Sequence, residues 1–203
     1  MRFLMQIKTI LVISILGIFL LQTSCKSSQA DGTTSTNFIA PGYKKQDYKK
    51  ILVIALLQPE KNKKQVEDAI VSELRERRYP VHASYKDFPE DLKTDTANLR
   101  KKVTEAGYDA AIVLSYLGQS SSTQEFVSFD GTFFSIFYGN YVTFDIDAQN
   151  VGNAFFQCDF FTKDVKGTQW RAPIRVNTSN DRSLLLQMIS RNLRIQIVGD
   201  RII

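Results

Sequence analysis

The chain has 203 residues, with 26 Lys and Arg against 21 Asp and Glu, a formal net charge of +5, two cysteines and one histidine. A length of this order suits one domain with a sizeable core. The positive excess is mild and spread along the chain, which argues against a nucleic-acid binder, and two cysteines exclude a disulfide framework or a cysteine-rich zinc module.

The first residues read as an export signal, because Arg2 and Lys8 make a short positive start and residues 10–21 are almost entirely apolar. A spanning helix needs about 20 apolar residues, and this run stops at Leu21, where Gln22, Thr23 and Ser24 take over. Residues 20–25 resemble a lipobox, with small Ser24 directly before Cys25. Cys25 is therefore the expected lipid-attachment residue, and residues 1–24 the lipoprotein signal peptide that is removed. The chemistry needs a thiol there, since a thioether to diacylglycerol forms before cleavage and the freed amine then takes a further acyl chain. Each buried methylene contributes about 0.8 kcal/mol, so two or three acyl chains hold a protein on a membrane where one would not. Gln22 stands where Leu is common, and looser boxes of this kind resemble those of Bacteroidota. Lys26, rather than Asp, follows the cysteine, which favours the outer membrane over retention at the inner one.

Residues 25–43 are rich in Ser, Thr, Gly and Gln and are expected to be a flexible tether, with one α/β domain over residues 44–203. Arg2 and Lys8 account for two of the five excess positive charges, leaving about +3 beyond residue 24.

Residues 50–57 (KILVIALL) form a continuous apolar run, as expected of a buried central strand. Helix period follows over residues 61–78, with Val66, Ala69, Ile70 and Leu74 on one face, and Pro80 ends it. Residues 81–85 read as a short second strand. A second helix spans residues 95–106, capped by Thr94 or Asp95 and stopped by Gly107, and another buried strand runs over residues 108–117. The second half differs: an aromatic stretch with little helix signal, an alternating strand at 141–148, a strand at 154–163, a turn at 164–167 and a returning strand at 168–176. Asn180 or Asp181 then caps a last helix with Leu185, Met188, Ile189 and Leu193 inward. The predicted class is α/β (α+β): a mixed sheet, with an N-terminal βαβαβ followed by an antiparallel meander or hairpin and a C-terminal helix.

The strings "YKKILVIALLQPEKNKKQVEDAIVSELRERRYPVHASY" and "LRKKVTEAGYDAAIVLSYLG" resemble a group of small bacterial envelope lipoproteins to which no reaction is attached, and the match covers most of the chain beyond the signal. That group is similar in layout to the curli-secretion lipoprotein and the lipoprotein activators of penicillin-binding proteins. The chain departs from it with Arg78 in place of the usual Gly, and with Arg171, Ala172 and Pro173 after Trp170. That departure predicts a hairpin whose far strand is interrupted at Arg171 to Pro173.

Catalytic inventories are thin. His82 is the sole histidine and reads as structural or solvent-facing, with no G-x-S-x-G and no phosphate loop to accompany it. Cys158, between Phe156 and Phe160, reads as a small buried hydrophobe. Asp145 and Asp147 share one strand face, and Asp159 joins them if the strands pair, which makes a candidate divalent-cation or enzyme site; the plainer alternative is a solvated polar face. The aromatic stretch Phe126, Phe129, Phe133, Phe134, Phe137, Tyr138 and Tyr141 must in part fill the core, and those of its residues that do not are the candidate surface for a partner or for resting on a membrane. The expectation is a non-catalytic binding or assembly module, without cofactor, held on the membrane through lipidated Cys25 and meeting an envelope protein partner.

Overall fold

A computed structural model describes residues 37–88, 96–119, 133–139, 141–144, 146, 152–178 and 181–203, apart from the side chains of residues 96–100, 134, 137, 138 and 178. Seven strands form one mixed sheet: β1 (Phe38–Ile39), β2 (Ile51–Gln58), β3 (Val81–Ala83), β4 (Ala110–Gly118), β5 (Val142–Thr143), β6 (Gly152–Thr162) and β7 (Trp170–Thr178). Their order is β1-β7-β6-β4-β2-β3, with β5 also paired to β2. The run from Ile51 to Leu57 is buried at every position because β2 lies parallel between β4 and β3 and is covered on both faces.

Helices α1 (Glu60–Arg75) and α4 (Arg182–Gly199) cover one face. Val66, Ile70 and Leu74 of α1, with Leu185, Ile189, Leu193 and Ile197 of α4, pack there against Val53, Ile112, Phe156 and Phe160. Each such side chain contributes roughly 1.5–3 kcal/mol relative to exposure. The other face carries Leu52, Ile54, Leu56, Val113 and Phe161, met by Val103 of α3 (Thr96–Glu105), by Phe88 after the short α2 (Ser84–Asp87), and by Phe133 and Ile136 of a 3-10 helix (Phe133–Tyr138). The alternation of strand side chains separates these two cores.

The mixed α/β sheet, the antiparallel β6–β7 hairpin and the closing helix are as the sequence predicts, and Asp181 caps α4 by accepting from Leu184 N at 3.1 Å. Four details differ. Residues 37–43, expected as the end of the tether, belong to the fold: β1 pairs antiparallel with β7, Ala40 N donates to Gln169 O, and Tyr43 OH donates to Ile202 O at 2.7 Å. β7 runs unbroken through Pro173, because β1 reaches only to Arg171 and the missing N–H falls on an open edge. Of the strand expected over residues 141–148, the described part pairs at Val142 and Thr143 and lies parallel to β2 in place of the predicted antiparallel pairing; residues 145, 147 and 148 lie outside the described residues. α1 stops at Arg75, three residues short of the sequence reading, because Arg78 adopts φ 67 in a left-handed turn.

Candidate functional site

Cys25, Phe126, Phe129, Asp145 and Asp147 lie outside the described residues, as do the side chains of Phe134, Phe137 and Tyr138. Phe133 is core: it is 3% exposed and packs with Ile136 beneath β2, so it leaves the partner-facing set. Tyr141 is half-buried against the same cluster. The segment passes so close over β2 that a Cβ on Gly139 would stand 2.6 Å from Leu56 Cδ1.

Asp159 is fully buried and already engaged. Its Oδ1 receives Arg171 Nε at 2.6 Å and its Oδ2 receives Gln157 Nε2 at 2.5 Å. Burial pushes its carboxyl above the ordinary range, against the pull of Gln157 and Arg171. The register sets Asp159 directly opposite Arg171, so this is a cross-strand ion pair, and its oxygens are taken up by those donors. Asp159 therefore does not contribute to the predicted cation face. No group of three or more His, Cys, Asp or Glu among the described residues is arranged to hold a metal.

His82 lies at the outer strand β3, edge-on to the Tyr108 ring at 6.0 Å with Arg75 Nη2 3.5 Å from Nδ1. Its pKa is lowered by partial burial and then by the Arg75 and Lys50 charges, with Asp87 opposing them. The ring is neutral at neutral pH and sits among cations, as a structural histidine does. Lys50 spans Ala106 O at 3.0 Å and Asp87 Oδ2 at 3.7 Å, while Tyr108 OH donates to Asp87. Cys158 is fully buried, and burial together with Asp159 raises its thiol well above the ordinary value, which keeps it protonated and unreactive.

One polar cluster escaped the sequence reading. Glu67 is fully buried on α1, and its carboxylate accepts from Ala55 N at 2.9 Å, Ser84 Oγ at 2.8 Å and Tyr85 N at 3.2 Å. Lys63 Nζ, itself 2% exposed, stands 3.9 Å away. Asn62 Nδ2 donates to Phe144 O at 2.6 Å. β3 pairs β2 only as far as Val53, and Ala55 N is the next donor on that edge, so the carboxylate occupies the place of a strand. Burial raises the Glu67 carboxyl, and Lys63 chiefly opposes this. With these donors and Lys63 around it, the carboxylate fastens α1, the free edge of β2 and the start of α2 together. The signal was present: residues 63, 66, 67, 70, 71 and 74 share one helical face, so Lys63 and Glu67 form an i, i+4 charged pair inside an apolar stripe.

No protein-family model matches the sequence, and no curated relative does. The chain is similar at low identity to a number of solved structures, among them these two. The first is the PelC dodecamer from Paraburkholderia phytofirmans: 9% identity, TM-score 0.43, covering 78% of this chain and 92% of that one. The second is the lipoprotein GNA1162 from Neisseria meningitidis: 16% identity, TM-score 0.39, covering 74% and 98% respectively.

Proposed function

We propose that the protein is a lipoprotein of the cell envelope, held by lipid on Cys25 at the outer membrane, with its α/β domain serving as a non-catalytic binding or assembly module. The observation that carries this reading is the apolar run of residues 10–21 ending in a lipobox-like Ser24–Cys25. No helix among the described residues is long and apolar enough to cross a membrane, so the lipid is the attachment this reading relies on. A module role is supported by the state of the polar groups. Glu67, Asp159 and Asp87 are each engaged by donors from the protein itself, and the buried Cys158 thiol is held protonated. With Phe133 in the core, the partner-facing candidates are Phe126, Phe129, Phe134, Phe137, Tyr138 and Tyr141.

The test is processing in cells. Intact mass of the wild-type protein is expected to begin at Cys25 with added acyl groups, and the protein to partition with membranes. Cys25→Ala is expected to remain uncleaved and unacylated. A Cys25→Ala protein that is still cut at the same bond and still membrane-bound overturns the reading.

A further inference from the structure

We infer that the end of the domain at which the chain enters it docks on an anionic phospholipid surface, an inference that rests on the lipid anchor proposed above. The register fixes which segments share that end. Ile39 pairs with Trp170, the first residue of β7, while Ile51, Val81 and Ala110 align at the start of their strands and Ala110 pairs with Thr162, the last residue of β6. The connection over residues 40–50 and the hairpin turn over residues 163–169 therefore lie side by side. Asp109 ties them directly, its Oδ2 accepting from Lys49 N at 2.7 Å and its backbone O from Lys163 N at 3.1 Å.

Two kinds of side chain meet there. Exposed apolar groups stand at the tips: Val165 in the turn is 48% exposed, and Phe38 and Ile39 of β1 are 44% and 45% exposed. Lys163 and Lys166 flank Val165, and Lys44, Lys45 and Lys49 line the neighbouring connection, all of them exposed. Asp47 and Asp164 are the acidic residues of the same two segments, with Asp109 between them, so the five exposed lysines outnumber these three carboxylates, and a sixth, Lys50, is paired with Asp87. Shallow apolar tips ringed by lysine suit a headgroup layer of negative charge, since the apolar groups enter the interface while the ammonium groups stay at phosphate level.

The chain length outside the structure makes this surface available. Eleven residues lie between Cys25 and Asn37, a distance of no more than about 43 Å when fully extended. Asn37 itself is fixed to the same end of the fold by its side-chain amide, which donates to Asp200 Oδ2 at 2.7 Å. A lipid on Cys25 therefore keeps this end facing the bilayer more often than the opposite end.

The test uses the full lipidated protein reconstituted in vesicles of phosphatidylethanolamine with phosphatidylglycerol, and in vesicles of phosphatidylcholine alone, read by hydrogen exchange. Peptides over residues 40–49 and 163–169 are expected to exchange severalfold more slowly on the anionic vesicles, the difference vanishing at high salt. Lys163→Glu with Lys166→Glu is expected to abolish the difference without shifting thermal unfolding, and Val165→Ser to reduce it. Equal exchange in the two lipids, with the protein still resistant to alkaline wash, overturns the docking and leaves the anchor standing. Loss of the protein from both vesicles in that wash overturns the anchor, and the docking with it.

Discussion

Glu67 is the residue whose chemistry is most sharply set by its surroundings. A buried carboxylate is costly unless donors satisfy it, and here Ala55 N, Ser84 Oγ and Tyr85 N converge on it with Lys63 nearby. The carboxyl is nevertheless raised above its ordinary value of 4.5, because desolvation outweighs those donors. The folded chain therefore holds this proton where the unfolded chain releases it. The stability tied to the group is full below 4.5 and is lost as pH rises through the folded-state value. Glu67→Gln should flatten that decline at pH values above 4.5. It should also lower stability at neutral pH by about 1–3 kcal/mol, because the amide nitrogen cannot accept and Lys63 loses its counter-charge. Urea denaturation at a series of pH values measures both, and an unchanged pH slope in the variant would sink the assignment.

At the scale of elements, the sheet ends on outward carbonyls that side chains satisfy. Arg75 Nε donates to Val81 O at 2.9 Å on β3, while Gln196 Nε2 and Asn192 Nδ2 of α4 donate to Pro173 O at 2.8 Å and Arg175 O at 3.1 Å on β7. Pro173 adds a position with no N–H to offer, so β7 is poorly suited to accept another strand. Asn192→Ala with Gln196→Ala should cost about 1 kcal/mol for each bond lost and increase self-association through β7. Denaturation and sedimentation velocity check this, and a variant as stable and as monodisperse as the parent would contradict it. The elements themselves were legible where one pattern ruled. β2 and β4 read as buried runs, and α4 declared its cap at Asp181 and its face at Leu185, Ile189 and Leu193. Errors fell where local rules competed. Both α1 and α4 end with an arginine in the left-handed conformation, Arg78 at φ 67 and Arg201 at φ 57, where a glycine would have marked the stop. The alternation around Val142, Phe144 and Ile146 read as a long strand. Among the described residues there, Val142 and Thr143 pair with β2, Val142 is exposed, and Phe144 and Ile146 turn into the core beneath α1 and α4. The candidate site was less legible than the fold, since the polar face of a strand and its buried cross-strand partner, as in Asp159 and Arg171, have the same sequence signature.

Across the whole molecule, the two ends of the described chain are sewn together, whereas the sequence reading runs the tether on to Tyr43 although residues 37–43 (NFIAPGY) hold no Ser, Thr or Gln. Asp200 is the knot. Its Oδ2 accepts from Asn37 Nδ2 and from Trp170 Nε1, each at 2.7 Å, joining the first strand, the start of β7 and the end of α4. Two residues on, Ile202 O accepts from Tyr43 OH, which also contacts Tyr48 OH at 2.9 Å, and burial keeps the Tyr43 hydroxyl protonated. Composition alone could not reveal this, because Asn37, Tyr43 and Asp200 find their partners at separations near the full length of the domain. Trp170 is the only tryptophan and is fully buried, so removing Asp200 strands its indole N–H inside the core. Asp200→Ala should therefore cost about 2–4 kcal/mol and lower the melting temperature by roughly 5–10 °C. Trp170 emission reports the transition directly, and Asp200→Asn, which keeps an acceptor oxygen, should recover part of the loss. If Asp200→Ala melts with the parent, the N-terminal strand is held by β7 alone and the clasp contributes nothing to stability.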